Sequence, residues 1–350
     1  MPNPEAMKAF AGKLLGIYTG GVLTKLIDVG YQVGLFEASK DGPATSEELA
    51  TRAGLKERYV REWLGGMVTG GIYTYDAATK KYVLPEDHAA MLTGPTASNL
   101  CPTSRMVNHF GSHLPKLAAC FREGGGIPYA AYRPVFTQCM DDVWRRIYDQ
   151  QLVTGFIGAV EGLPARLGRG IRVLDIGCGS GHAMNILARE YPASRFWGYD
   201  FAEDAIADAQ REAKDWGLDN VRFEARDVTD LPGEPQFDLI TAFDAIHDQK
   251  SPDAVLRSVR RALAPKGDYL MIEFKFSSRL EENVGNAFAP MYYGFSLMHC
   301  MPVSLALGGQ GLGTVWGEQT ARRYLADAGF TRVRVIDTPR PQNCIFVCGH

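Results

Sequence analysis

The chain has 350 residues, a length that suits two domains or one large α/β domain with an appendage, and it can bury a core without disulfide or metal staples. Its 37 basic and 40 acidic residues leave a formal net charge of -3, which offers no electrostatic footprint for nucleic acid or for an anionic membrane. The seven cysteines are odd in number and form no CxxC, so neither a disulfide framework nor a zinc site is expected, and reduced thiols in a cytoplasmic chain with no metal are.

The start, Met1-Pro2-Asn3-Pro4-Glu5, has no charged region followed by an apolar run, so no signal peptide is read there. Segment 8–38 carries Leu14, Leu15, Val22, Leu26, Val29, Val33 and Leu35 at helical spacing. Thr45 and Glu48 form a capping-box signature that opens a helix over 47–53, ended by Gly54. A second helix is predicted over 57–68. Ile72–Tyr75 and Lys81–Leu84, around a polar turn at 76–80, then read as a β-hairpin. Helix, turn, helix, hairpin is the outline of a winged helix. Lys56, Arg58 and Arg61 stand among Glu57 and Glu62, a charge mixture poorly suited to tracking phosphates. Clustered Pro, Gly and aromatic residues over 96–140 predict irregular connecting structure, and helix resumes over 141–163.

From Arg172 the pattern alternates strand and helix, which predicts an α/β sheet. Strands are expected at 172–176, 195–199, 221–225, 237–242, 269–274, 332–336 and 344–347. Ser251 and Pro252 mark the start of a helix as N-cap and first helical residue. Segment 283–317 has no Asp, Glu, Lys or Arg and is rich in Met and aromatic residues. Its prolines and short apolar runs speak against a membrane span, and a lid or pocket wall over an apolar site is expected.

The chemistry centres on Val173-Leu-Asp-Ile-Gly-Cys-Gly-Ser-Gly181, a strand running into a glycine-rich turn that opens a helix. Gly177, Gly179 and Gly181, with Cys178 between them, let the backbone approach a ligand. The third glycine of the dinucleotide pattern is replaced by His182, and Asp175 would repel a pyrophosphate. S-adenosylmethionine (SAM) has no phosphate, and an acid can help hold its ammonium. Asp200 ends the next strand, where a carboxylate can accept from both ribose hydroxyls, and Asp227 ends the third, where it can accept from an adenine amino group. Each aspartate alone also reads as a turn or helix cap.

Residues 172–273 closely resemble class I SAM-dependent methyltransferases. Val173–Gly181 matches their first motif, Asp200 and Asp227 the ribose and adenine acids, Phe237–Ile240 the fourth-strand motif and Leu263–Gly267 the turn into the fifth strand. The resemblance implies a Rossmann-like α/β fold, a seven-stranded sheet with its last strand antiparallel, behind an N-terminal mostly helical winged-helix domain. It places that domain at 1–165, for dimerisation and substrate enclosure, and the methyltransferase domain at 166–350 with the insertion 283–317. The implied cofactor is SAM, with S-adenosylhomocysteine as product, held by Asp175, Gly177, Cys178, Gly179, Gly181, Asp200, Phe201, Asp227, Val228 and Asp244. The layout is similar to bacterial small-molecule and plant-type O-methyltransferases, which implies a homodimer acting on a small, lipophilic or aromatic acceptor, at a hydroxyl oxygen.

Hydroxyl methylation calls for a base. Ala245-Ile-His-Asp-Gln249 follows the fourth strand, at the strand ends where open α/β sheets bind ligands. By resemblance His247 is the candidate base and Asp248 its candidate orienting partner, although Gln249 stands where the family usually has Trp. His247 also reads as a residue that only lines the cofactor site. Tyr18, His109, His113, Tyr129 and Tyr132 are weaker pocket candidates. Two other readings compete: methylation at N, S or C of a small molecule, and a SAM-binding winged-helix regulator. A nicotinamide oxidoreductase is disfavoured by His182 and Asp175.

Overall fold

The structure, a computed structural model, describes residues 2–231 and 236–350. It divides into two units: Met1–Ser112 with Val135–Arg146, and His113–Pro134 with Ile147–His350.

In the first unit a helix runs over Pro4–Gln32, and Asn3 caps it by accepting from the Glu5 and Ala6 N–H groups. The periodic segment 8–38 is not one helix. Gly34 adopts φ 75° and a separate short helix, Leu35–Ala38, follows. The capping box forms as expected: the Glu48 N–H donates to Thr45 Oγ1 at 3.2 Å, and the Thr45 N–H donates to Glu48 Oε2 at 2.9 Å. That helix spans Ser46–Ala53, and the next spans Glu57–Thr69. Strands β1 (Thr74–Asp76) and β2 (Lys81–Val83) pair antiparallel. Trp63, Phe36 and Tyr73 pack edge-on at the centre. Gly30 is required there, because a Cβ would lie 2.4 Å from the Trp63 ring. Arg58 pairs with Glu62 at 2.5 Å and Arg61 with Glu57 at 3.2 Å, so each arginine of the second helix has a glutamate one turn away.

The region expected to be irregular, 96–140, is largely helical: Cys101–Gly111, Leu114–Glu123 and the start of Val135–Gln151. Pro102 and Pro115 caused the misreading. Each sits in a helix's first turn, where the missing N–H costs nothing and the fixed φ suits the helix.

The second unit is built on seven strands: β3 (Arg172–Ile176), β4 (Arg195–Asp200), β5 (Val221–Ala225), β6 (Phe237–Phe243), β7 (Leu263–Phe274), β8 (Arg332–Asp337) and β9 (Asn343–Gly349). Their order is β5-β4-β3-β6-β7-β9-β8. The first five are parallel, and β9 runs antiparallel between β7 and β8. This is the Rossmann-like arrangement expected. The core strands are apolar runs because helices cover both faces. Helix Pro252–Ala262 turns Val255, Leu256, Val259 and Ala262 inward, each worth about 1.5–3 kcal/mol for the larger side chains. Its start is where the sequence placed it, yet the Ser251 side chain makes no capping bond; Pro252 alone opens the helix. The uncharged insertion forms three consecutive helical stretches, Ala289–Phe295, Ser296–Cys300 and Met301–Ala306. Among the described residues no helix is long and apolar enough to cross a membrane.

The chain order reverses between β3 and β6. In open sheets the loops diverging at such a point leave a crevice, and ligands bind there. The turn after β3 and the loop after β6 flank it.

Candidate functional site

The turn after β3 is shaped by three glycines in left-handed backbone: Gly177 at φ 68°, Gly179 at 53° and Gly181 at 71°. A Cβ on Gly177 would meet Ala245 at 2.6 Å, and one on Gly181 would meet Ala209 and Phe223 at 2.5 Å. A Cβ on Gly179 would meet nothing within 4 Å, so that residue borders open space where a ligand can touch backbone. The turn is tied to β4 through the Gly177 N–H, which donates to the Tyr199 carbonyl at 2.8 Å.

Asp200, at the end of β4, accepts from the Gly179 N–H and the Ala202 N–H, both at 2.9 Å. Burial still pushes its carboxyl up, more than these bonds lower it. Asp175 is buried in β3 and accepts from the Thr241 hydroxyl at 2.6 Å; burial pushes it up to about 7. Phe201 is 64% exposed beside Asp200, with the Tyr129 ring edge-on at 5.6 Å. Asp227 is exposed after β5 and caps the short turn Val228–Asp230 by accepting from the Thr229 N–H at 2.9 Å. The sheet sets it next to Asp200, whose carbonyl accepts from the Arg226 N–H. Val228 is buried under that turn, and Cys178 lies in the glycine turn with its thiol pushed up by burial.

On the other side of the crevice, Asp244 has φ 49°, a strained backbone for a residue that is not glycine. One of its oxygens accepts from Asn343 Nδ2 at 3.4 Å, and the other, Oδ2, is buried without a partner. Burial, then the nearby Glu273, push its carboxyl well up. Asp244 thus lies between the start of β9 and Glu273, one residue before Ala245, which a Cβ on Gly177 would meet.

His247 is buried, and its Nδ1 faces Glu273 Oε2 at 2.6 Å. The Glu273 oxygen also accepts from Trp316 Nε1 at 3.3 Å. Burial disfavours the imidazolium, but the Glu273 carboxylate and the Cys300 side chain outweigh it, so the ring holds its proton well above the ordinary histidine range. The carboxylate in contact with the His247 ring is therefore Glu273, from the end of β7; no hydrogen bond joins Asp248 to that ring among the described residues. Asp248 is half-buried and pushed up to about 6, first by burial. Glu273 was missed in the sequence, although a lone acid inside Leu270-Met-Ile-Glu-Phe274 is a signal in itself: a buried charge needs a partner. Cys300 and Thr314 were missed too, because only folding carries them from the insertion to His247.

The insertion packs on this side of the sheet. Tyr292 lies against Phe274 at 4.4 Å and Phe276 at 5.3 Å. Its Gly313 N–H donates to the His247 carbonyl at 3.1 Å. Tyr132 donates to the Met298 carbonyl at 2.7 Å, with His113 and His299 beside its ring. Tyr18 is exposed in the first unit, where His109 also lies.

The structure thus brings together Asp175, the glycine turn, Asp200, Asp248, His247 and Asp244. Buried carboxyls pushed up by desolvation suit a cation, which would restore their charge on binding, and the open face at Gly179 leaves backbone to meet it. The residues present fit SAM.

Comparison with known proteins agrees. Residues 167–329 match a family model described as a methyltransferase domain, and residues 21–94 match an Rv2258c-like winged HTH domain. The chain therefore joins a winged-helix module at 21–94 to a methyltransferase domain at 167–329. It is 34% identical over 96 residues to trans-aconitate 2-methyltransferase of Methylobacterium nodulans, a match that covers 27% of this chain and 35% of that enzyme. Its fold resembles that of the mitomycin 7-O-methyltransferase MmcR, with TM-score 0.75 and 18% identity over 99% of this chain and 100% of that one. It also resembles human N-acetylserotonin methyltransferase in complex with SAM, with TM-score 0.70 and 18% identity over 97% of each chain.

Proposed function

We propose that this chain transfers the methyl group of SAM to a hydroxyl oxygen of a small, lipophilic or aromatic molecule. The observation that carries the reading is the buried His247–Glu273 pair at the crevice, 2.6 Å apart, across from the glycine turn and Asp200. SAM, when bound, supplies an electrophilic methyl carbon. The protein's part is position and one proton. Asp175, Asp200 and Asp227, with the backbone at Gly177–Gly181 and the side chains of Phe201 and Val228, hold the cofactor. His247 Nε2 takes the acceptor's hydroxyl proton once the ring is neutral, and Glu273 fixes the ring and steadies the charge it gains. Asp248 borders the same space. Tyr292, Phe274 and the helices of the insertion supply the apolar wall that excludes water and favours an aromatic acceptor.

The test is calorimetric titration with SAM and S-adenosylhomocysteine, followed by a screen of phenols with labelled SAM. Binding of both nucleosides with methyl transfer to a phenol supports the reading. Binding of neither by folded protein would refute it.

We also propose domains at 1–165 and 166–350, a cytoplasmic location, and a homodimer. Met7, Phe10, Leu15, Ile17 and Val22 on the first helix are more than half exposed, an apolar surface of the kind that a second copy covers. Light scattering checks the homodimer; a monomer at micromolar concentration argues against it.

A further inference from the structure

Segment 126–134 belongs to the same unit as the seven-stranded sheet and is fastened to the insertion. The Ile127 N–H donates to the Pro302 carbonyl at 3.1 Å, and a Cβ on Gly126 would lie 2.0 Å from that same oxygen, so only glycine fits this close approach of two backbones. Tyr132 is fully buried and donates its hydroxyl to the Met298 carbonyl at 2.7 Å. Thus anchored, the segment brings Tyr129 to the loop after β4. The Tyr129 ring lies edge-on to Phe201 at 5.6 Å and edge-on to His299 of the insertion at 5.9 Å. The Arg133 guanidinium stands 5.7 Å from the centre of the Tyr129 ring and pairs with Asp204, in the first turn of helix Glu203–Asp215. Phe201 directly follows Asp200, and most of its ring is open to solvent, although an apolar ring gains by being covered. Exposed aromatic surface beside a carboxylate is the kind of face on which a nucleoside packs.

We propose that Tyr129 is a cofactor-binding residue: with Phe201 it forms an aromatic corner that takes the adenosine end of SAM, and Arg133 is the positioning residue that holds its ring there. This rests on the cofactor site proposed above, with Asp200 at the ribose. Hydrogen bonds to Asp200 fix the ribose and leave the flat faces of the nucleoside to be covered. Phe201 covers them from the loop that carries Asp200, and Tyr129 from a segment that precedes the whole sheet in the chain. Two edge-on rings make a corner, which suits a base joined to a sugar better than an extended chain. Arg133 restrains the Tyr129 ring twice, by its charge near the ring and by its own tether to Asp204. The part of Tyr129 is binding, so its loss should change the affinity for the cofactor more than turnover at saturating SAM.

The full-length protein is titrated by calorimetry with S-adenosylhomocysteine and with methylthioadenosine, which keeps the adenosine and lacks the amino-acid end. Packing of a base on an aromatic side chain strengthens binding roughly 5- to 150-fold, so Tyr129→Ala should weaken both ligands at least about fivefold, and by similar factors. Tyr129→Phe keeps the ring and should stay within about twofold of wild type, while Arg133→Ala should weaken both ligands about two- to fivefold. Unchanged affinity in Tyr129→Ala, a loss confined to S-adenosylhomocysteine, or no rescue by Phe would each overturn the proposal. Asp200→Ala separates it from the reading beneath. If Asp200→Ala abolishes binding and Tyr129→Ala binds as wild type does, the cofactor site stands and this inference alone falls. If the folded wild type binds neither nucleoside, both fall. Hydrogen exchange of the wild-type protein keeps the test open should Tyr129→Ala unfold: S-adenosylhomocysteine should slow amide exchange over 126–133 as well as over 177–182, and unchanged exchange over 126–133 would overturn the proposal.

Discussion

If Asp175 holds the cationic cofactor as proposed, the affinity for SAM should rise with pH. Burial raises its carboxyl to about 7, so the free protein carries it neutral below that pH and ionised above it. A cationic cofactor needs the ionised form. The ionised fraction is about 9% at pH 6 and about 91% at pH 8, which predicts roughly tenfold tighter binding at pH 8, or about 1.4 kcal/mol. Asp248, raised to about 6, adds at most about a further twofold over the same range. The assay is calorimetric titration with SAM at pH 6, 7 and 8, repeated in buffers of different ionisation enthalpy to count the proton released. Asp175→Asn should flatten the profile to twofold or less, since the amide oxygen can still accept from Thr241. Wild-type affinity that is constant between pH 6 and 8, with no proton released, would refute the reasoning.

The same shift has a stability consequence. A carboxyl whose folded value lies above its unfolded value contributes stability that is full below about pH 3.8 and lost as pH rises through about 7, so Asp175→Asn should raise the melting temperature of the cofactor-free protein more at pH 8 than at pH 5, by a free energy on the order of 2–4 kcal/mol at pH 8. His247→Ala should leave SAM affinity within about threefold and slow turnover about 10²–10⁴-fold in single-turnover assays; retained turnover would remove the base assignment. Glu273→Gln takes away the carboxylate that holds the His247 proton, so the rise of kcat/KM with pH should move to lower pH while its plateau falls. Gly181→Val places a Cβ 2.5 Å from Ala209 and Phe223 at φ 71°, and should cost about 2–4 kcal/mol in denaturant unfolding as well as SAM binding.

Much of the fold is local in origin and was therefore legible in the sequence. The capping box at Thr45 and Glu48, the alternation of apolar strands with amphipathic helices from Arg172, and the glycine turn at 177–181 each follow from residues close together in the chain. The helices at Cys101–Gly111 and Leu114–Glu123 were hidden, because a proline in a first turn looks like a breaker until the helix direction is known. The sequence could place His247 at a strand end by its spacing from β6. It could not choose the partner of His247, because Asp248 is adjacent in the chain whereas Glu273 is 26 residues away and reaches the ring only through the parallel pairing of β6 with β7. Neighbours in a chain turn their side chains apart near a strand, while neighbouring strands bring theirs to one place. For the same reason the sequence determined that a SAM-type turn exists, and only the tertiary structure brought the loop carrying Gly313 and Thr314 to His247 and left Asp244 strained, with its Oδ2 buried, and facing Asn343.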